Sequence, residues 1–171
     1  MSSIRHKYLI IDTSLLCVWL RIPGYETGGP ETDSWDYDRV GKKITTEKDA
    51  GTFFVLPLAT IIETGNHITH VKRIDKRSFA TELVNIINDS ADETSPWVAF
   101  SFQSELWKPE QLKILARRWL DTVDVLSLGD ASILDVAEHF SKMGDVEILS
   151  GDKGLIAYQP RHELFIPRRR Q

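Results

Sequence analysis

Apolar residues along this chain come in short unbroken runs, each followed by a longer stretch with helical spacing. HKYLIID (6–12) is such a run closing on an acid, and it predicts a buried parallel strand. TSLLCVWLRI predicts a helix directly after it. YETGGPETDSW (25–35), rich in Gly, Pro and acids, predicts a long surface loop. A helix is expected over 38–50 and a second strand at TFFVLP (52–57). LATIIETGNHITHVKR (58–73) has helical spacing interrupted at Gly65, and SFATELVNIINDSADE (78–93) predicts an amphipathic helix. PWVAFSF (96–102) is compatible with a short strand or a buried turn, whereas PEQLKILARRWLDTV (109–123) predicts a helix with Pro109 in its first turn. VLSLGDASILDVAEHF (125–140) predicts a helix capped by Asp130, VEILSG a strand followed by a turn, and ELFIP (163–167) a last strand.

Strands alternating with helices at this spacing predict an α/β sandwich with a mainly parallel sheet, in which functional groups collect beyond the carboxyl ends of the strands. A length of 171 residues fits one domain, 1–171. Apolar residues at 42% and charged residues at 27% are the balance of a globular chain rather than a disordered one. The net charge of −4 offers no global attraction to nucleic acid, so such binding would depend on local basic patches. The single cysteine, Cys17, excludes an internal disulfide and a four-cysteine zinc site, and its place in LLCVWL suggests core packing. No run approaches the length of a membrane span and no signal-peptide pattern is visible, so the expected location is the cytoplasm.

Four acids occupy the strand-end positions. Asp12 closes the first strand, Glu63 lies in the first turns of the helix after the second, Asp130 starts its helix, and Asp152 follows VEILSG. On a wheel of about 100° per residue, Asp130 lies over the stripe of Ile133, Leu134, Val136, Ala137 and Phe140, with Ser132, Asp135, Glu138 and His139 largely opposite. An ionised carboxylate on the core-facing side is costly unless paired or metal-bound. Carboxylates gathered within a few Å repel one another, and a hard cation such as Mg²⁺ or Mn²⁺ removes the conflict. The chemistry suited to such a cluster is phosphodiester hydrolysis.

IIDTS at Asp12, LPLATIIE ending at Glu63, LSLGDASI around Asp130 and ILSGDKGL around Asp152 together resemble, in order, the PIN domain, a family of metal-dependent nucleases. The resemblance covers nearly the whole chain. It implies a three-layer α/β/α fold, one or two Mg²⁺ or Mn²⁺ ions, and cleavage of RNA to leave a 5′-phosphate and a 3′-hydroxyl. By this resemblance Asp12, Glu63, Asp130 and Asp152 match the acidic quartet that is both catalytic and metal-binding, while Thr13 and Ser150 stand where small hydroxyl residues support the metal or its waters. A homodimer, or an inhibitory or regulatory protein partner as in toxin-antitoxin pairs, is a family trait carried by the same resemblance. The chain departs from small toxin-type members in an insertion of about residues 21–51 and an extra segment around 88–108.

Other residues qualify this picture. Glu63, His67 and His70 are spaced to share one helix face, so either histidine could contact a metal or substrate, although two histidines on a partly polar helix are usually surface residues. Asp135 is a candidate supporting acid, but it sits well away from Asp130 on the wheel. Lys72, Arg73, Lys76 and Arg77 form a basic cluster, Lys153 adjoins Asp152, and Arg168, Arg169 and Arg170 lie near the end of the sequence; Lys72, Arg73 and Lys153 are the expected RNA contacts. Trp119 recurs with Leu112, Leu115 and Ala116 at helical spacing and is expected in the core rather than stacked on bases. A nuclease-like fold that binds RNA or protein without cutting, and a metal-dependent DNA nuclease or phosphatase, are the competing functional classes.

Overall fold

The computed structural model describes residues 5–72 and 75–160. Arg73, the expected last strand at 163–167 and Arg168, Arg169 and Arg170 lie outside the described residues. Strand β1 (Lys7–Ile11) is central, with β4 (Phe53–Val55) on one side and β5 (Asp145–Leu149) on the other, all parallel. Tyr8 pairs with Phe53 and Val146, and Ile10 with Val55 and Ile148. The unbroken apolar run of β1 follows from burial on both faces. Leu9 and Ile11 enter one core with Phe54, Leu56 and Leu149, while Ile10 enters a second core with Val55 and Ile148.

The first core is closed by α1 (Thr13–Trp19), α2 (Tyr37–Asp49), α3 (Leu58–Thr69) and α4 (Lys76–Ala91), through Leu15, Val40, Ile68 and Leu83 among others. The second is closed by α6 (Leu128–Ser141) and α7 (Lys153–Ala157), through Ile133, Val136, Phe140 and Leu155. The chain is therefore mixed α/β with a parallel sheet and a core on each face. No described helix is long and apolar enough to cross a membrane.

Several expectations change. The stretch 25–35, expected as a loop, is partly regular: β2 (Thr27–Gly28) and β3 (Trp35–Asp36) pair antiparallel around a 3-10 turn, while the helix expected over 38–50 is α2, capped by Asp36. Gly65 does not interrupt α3, because the helix backbone continues through it and its bare Cα faces Leu83 of α4. PWVAFSF is neither alternative alone. Trp97 bridges Phe54 at the sheet margin, and a 3-10 helix then runs over Phe100–Trp107.

The remaining helix, α5 (Pro109–Thr122), departs from its expected packing. Leu115 is buried and the Trp119 indole donates to the Leu126 carbonyl at 3.0 Å, but Leu112 and Ala116 are exposed. Ser132 is buried rather than outward-facing, its hydroxyl donating to the Gly129 carbonyl at 2.8 Å.

Candidate active site

Asp12 leaves the carboxyl end of the central strand and is buried at 5% exposure. Its amide still belongs to the sheet, donating to the Leu149 carbonyl of β5 at 3.0 Å. Its carboxylate is held through one oxygen: Oδ2 accepts from Ser14 Oγ at 2.7 Å and Ser150 Oγ at 2.6 Å. Ser14 in turn accepts from the Gly151 amide at 3.0 Å, tying the turn after β5 to the start of α1. Glu63, one turn into α3, accepts from Thr13 Oγ1 at 2.9 Å on Oε2. Thr13 and Ser150, expected as supporting hydroxyls, thus each hold one of the expected acids.

Asp130 does not cap its helix. Ser127 is the cap, and Asp130 at the third helical position completes a capping box, with Oδ2 accepting from the Ser127 amide at 3.1 Å and hydroxyl at 2.7 Å. The S-x-x-D spacing from 127 to 130 carried that signal in the sequence. Between them Gly129 makes room for Glu63: a Cβ on Gly129 would clash with Glu63 Oε1 and lie 3.1 Å from its Cδ. A glycine in the first turn of a helix costs helix propensity, so a close approach was the sequence signal here.

Two of these acids are shifted by burial and by the charges around them. Burial pushes the Asp12 carboxyl above its ordinary range, the Ser150 and Ser14 hydroxyls pull it back in part, and the negative charge of Asp130 adds to the rise. Glu63 is raised by burial first, with Thr13 opposing, and then by the charges of Asp12 and Asp130. Asp152 is the exception within the expected quartet. It is exposed and caps the short α7, with Oδ1 accepting from the Gly154 amide at 2.7 Å and the Leu155 amide at 3.3 Å. It reaches Asp12 only indirectly, through its own amide on Ser150 Oγ at 2.9 Å.

The other candidates divide. His67 stays near the acids, its positive form favouring ionised Glu63, and its Nδ1 is 2.6 Å from the Tyr25 hydroxyl. His70 ends α3 and bonds back to the Asn66 carbonyl at 2.7 Å, so the two histidines do not share a site. Asp135 is taken up by a separate ion pair, with Arg118 of α5 at 2.9 Å. Lys72 is exposed beyond α3, and Lys153 lies 3.7 Å from Asp33. Tyr25, Ser14, Ser127 and Gly129 are the site residues that the sequence reading missed.

As the side chains stand, no three His, Cys, Asp or Glu residues among the described residues form a ligand set for a metal ion. The side chains hydrogen-bonded to Asp12 and Glu63 are nevertheless the hydroxyls of Ser14, Ser150 and Thr13, so this part of the site is built of oxygen donors, the type that hard cations prefer, with the His67 imidazole nearby. No family model matches the chain, and no curated protein or solved structure matches it.

Proposed function

We propose that this protein is a metal-dependent endoribonuclease of PIN type, using Mg²⁺ or Mn²⁺ to hydrolyse RNA phosphodiester bonds. One observation supports the reading: Asp12 after β1 and Glu63 on α3 lie at the carboxyl end of the sheet with Asp130 of α6 near enough to act on both, and each is pushed towards the protonated state first by burial and then by its neighbours' charges. A cation is the simplest species that relieves such a cluster.

Asp12 and Glu63 would hold the ion, with Asp130 beside them. When bound, such an ion lowers the pKa of a coordinated water and offsets the charge that develops on the departing oxygen. Ser14 and Ser150 fix the Asp12 carboxylate through Oδ2 and set its direction without contributing charge. Thr13 does the same for Glu63 through Oε2. Asp152 is tied to the turn that carries Ser150 through its amide and to the start of α7 through its carboxylate, so in this reading it acts on the ion through that turn.

The test uses purified protein with labelled single-stranded RNA, single-stranded DNA and a phosphomonoester, each with Mn²⁺, Mg²⁺ or chelator. RNA cleavage that needs the cation and disappears in Asp12→Asn is the expected result. Cleavage that persists unchanged in Asp12→Asn, or that survives chelation, would overturn it. Turnover of DNA or the phosphomonoester in preference to RNA would move the assignment to the competing metal-dependent classes.

A further inference from the structure

A cavity of about 290 Å³ lies at the amino-terminal half of the sheet, where Tyr8 of β1 pairs with Phe53 of β4, whereas Asp12 and Glu63 follow the carboxyl ends of those strands. Its wall is largely aromatic. The Tyr8 ring centroid is 5.7 Å from that of Phe53 and 5.0 Å from that of Phe140, and Trp97, Phe102 and Met143 also line the cavity. Phe140 is fully buried while Phe102 is half exposed, so the lining runs from the core out to solvent.

The electrostatics of this lining have one sign. Glu93 is the single charged side chain in it among the described residues. Helix α4 ends at Ala91 and α6 at Ser141, and just beyond each end the chain enters the lining, at Glu93 and at Met143. The carbonyl ends of two helices, each with a partial negative charge, therefore border the same cavity. Basic groups nearby are directed elsewhere: His139 and Lys142 of α6 line a separate cleft with Glu105 and Arg118, and His6 packs edge-on against Phe53 at 5.2 Å without lining the cavity. Aromatic ring faces carry negative potential and attract cations, most strongly when the cation is desolvated. An anion is repelled here, and a neutral apolar body leaves the Glu93 charge unanswered. A bare metal ion is poorly served, because Glu93, Ser95 and Tyr8 supply the only side-chain oxygens among the described lining residues, too few for its coordination shell.

We infer that this cavity is a binding site for a small organic cation, an ammonium or quaternary ammonium group borne on an apolar body. The aromatic wall takes the apolar part and, with Glu93 and the two helix ends, the charge. The site lies apart from the acids of the candidate active site, so the inference is independent of the nuclease reading.

Titration of the full chain, followed by heteronuclear NMR, tests it with choline as the cationic probe and dimethylbutanol, in which carbon replaces the charged nitrogen, as the neutral one. Choline should shift the resonances of Glu93, Trp97, Ala99 and Met143 with a Kd of about 1 mM or lower. It should bind at least about fivefold more tightly than dimethylbutanol, the margin that a cation over aromatic faces provides. Phe102→Ala should weaken choline binding about fivefold and Glu93→Gln about threefold. Both side chains are exposed, so the melting temperature of each variant should stay near that of the parent. The absence of shifts up to about 50 mM choline overturns the inference. So does equal affinity for the neutral probe, or a choline Kd left unchanged by Phe102→Ala or by Glu93→Gln.

Discussion

Gly129→Ala isolates the packing that brings Glu63 to Asp130. In the first turn of a helix this change ordinarily stabilises a protein, by roughly 0.5–1 kcal/mol, because alanine has the better helix propensity. Here the added Cβ would clash with Glu63 Oε1, with Cδ at 3.1 Å and Ser127 Oγ at 3.5 Å. Glu63 is the flexible partner and must swing away, giving up the 2.9 Å hydrogen bond from Thr13. That loss, about 1 kcal/mol, cancels most of the helix gain. Metal-free stability should therefore stay within about 1 kcal/mol of the parent, a shift of roughly 2–4 °C at this chain length.

The metal response should change far more. A ligand at a hundred times its Kd adds about 2.7 kcal/mol, and a hundredfold loss of affinity reduces this to about 0.4 kcal/mol. Thermal melts in chelator and in Mn²⁺, alongside RNA cleavage, read both quantities. Glu63→Asp shortens the acid by one methylene, so Gly129→Ala with Glu63→Asp should recover part of the Mn²⁺ stabilisation that Gly129→Ala loses. If Gly129→Ala keeps the full Mn²⁺ response and cleavage rate, the close approach of Glu63 has no bearing on the site. If the parent itself gains nothing from Mn²⁺, the cation assignment is refuted and the packing argument is left standing on the chelator melts.

Three further outcomes follow from individual contacts. Asp12→Asn should raise the melting temperature by a few degrees in chelator at pH 7. The Asp12 carboxyl is raised in the folded state, so its contribution is complete below the ordinary carboxyl range and is lost as pH climbs through the raised value; the variant should lack that loss in a melt series against pH. Glu47 behaves oppositely. Burial pushes it up, but hydrogen bonds from Lys43, Lys7 and Thr52 outweigh burial and hold it at about 2 against an ordinary 4.5. Its stabilisation, on the order of 3 kcal/mol, is complete above the ordinary value and is lost as pH falls towards about 2. Urea unfolding of Glu47→Gln should show that deficit at pH 7 and a flatter acid limb, and an unchanged midpoint would refute the network's role. Ser127→Ala removes the cap of α6 and should cost about 1 kcal/mol, read as a fall of roughly 2–4 °C by calorimetry.

Period and punctuation along the chain were enough to place β1, β4 and β5 and the longer helices around them, though not the short α7, where the sequence predicts a turn. A strand packed on both faces must be apolar at successive positions, and a helix facing one core must repeat near 3.6 residues; both constraints are local. The same rule put Asp12 at a strand end, where backbone geometry alone aims it at the edge of the sheet. Capping was also local, and S-x-x-D at 127–130 could have shown Asp130 to be the third residue of its helix rather than the cap.

Contacts between distant residues were decided only in the tertiary structure. Ser150 reaches Asp12 across 138 positions and Thr13 reaches Glu63 across 50, distances that sheet register and helix packing close and that no local periodicity encodes. Asp152 and Asp130 looked equivalent along the chain, yet Asp152 turned to the amides of its own short helix while Asp130 came to lie beside Glu63, because the bare Cα of Gly129 left room on α6. Asp135 went to Arg118, and α5 kept its apolar stripe exposed, since burial depends on which neighbours the fold supplies and not on the pattern of the helix alone.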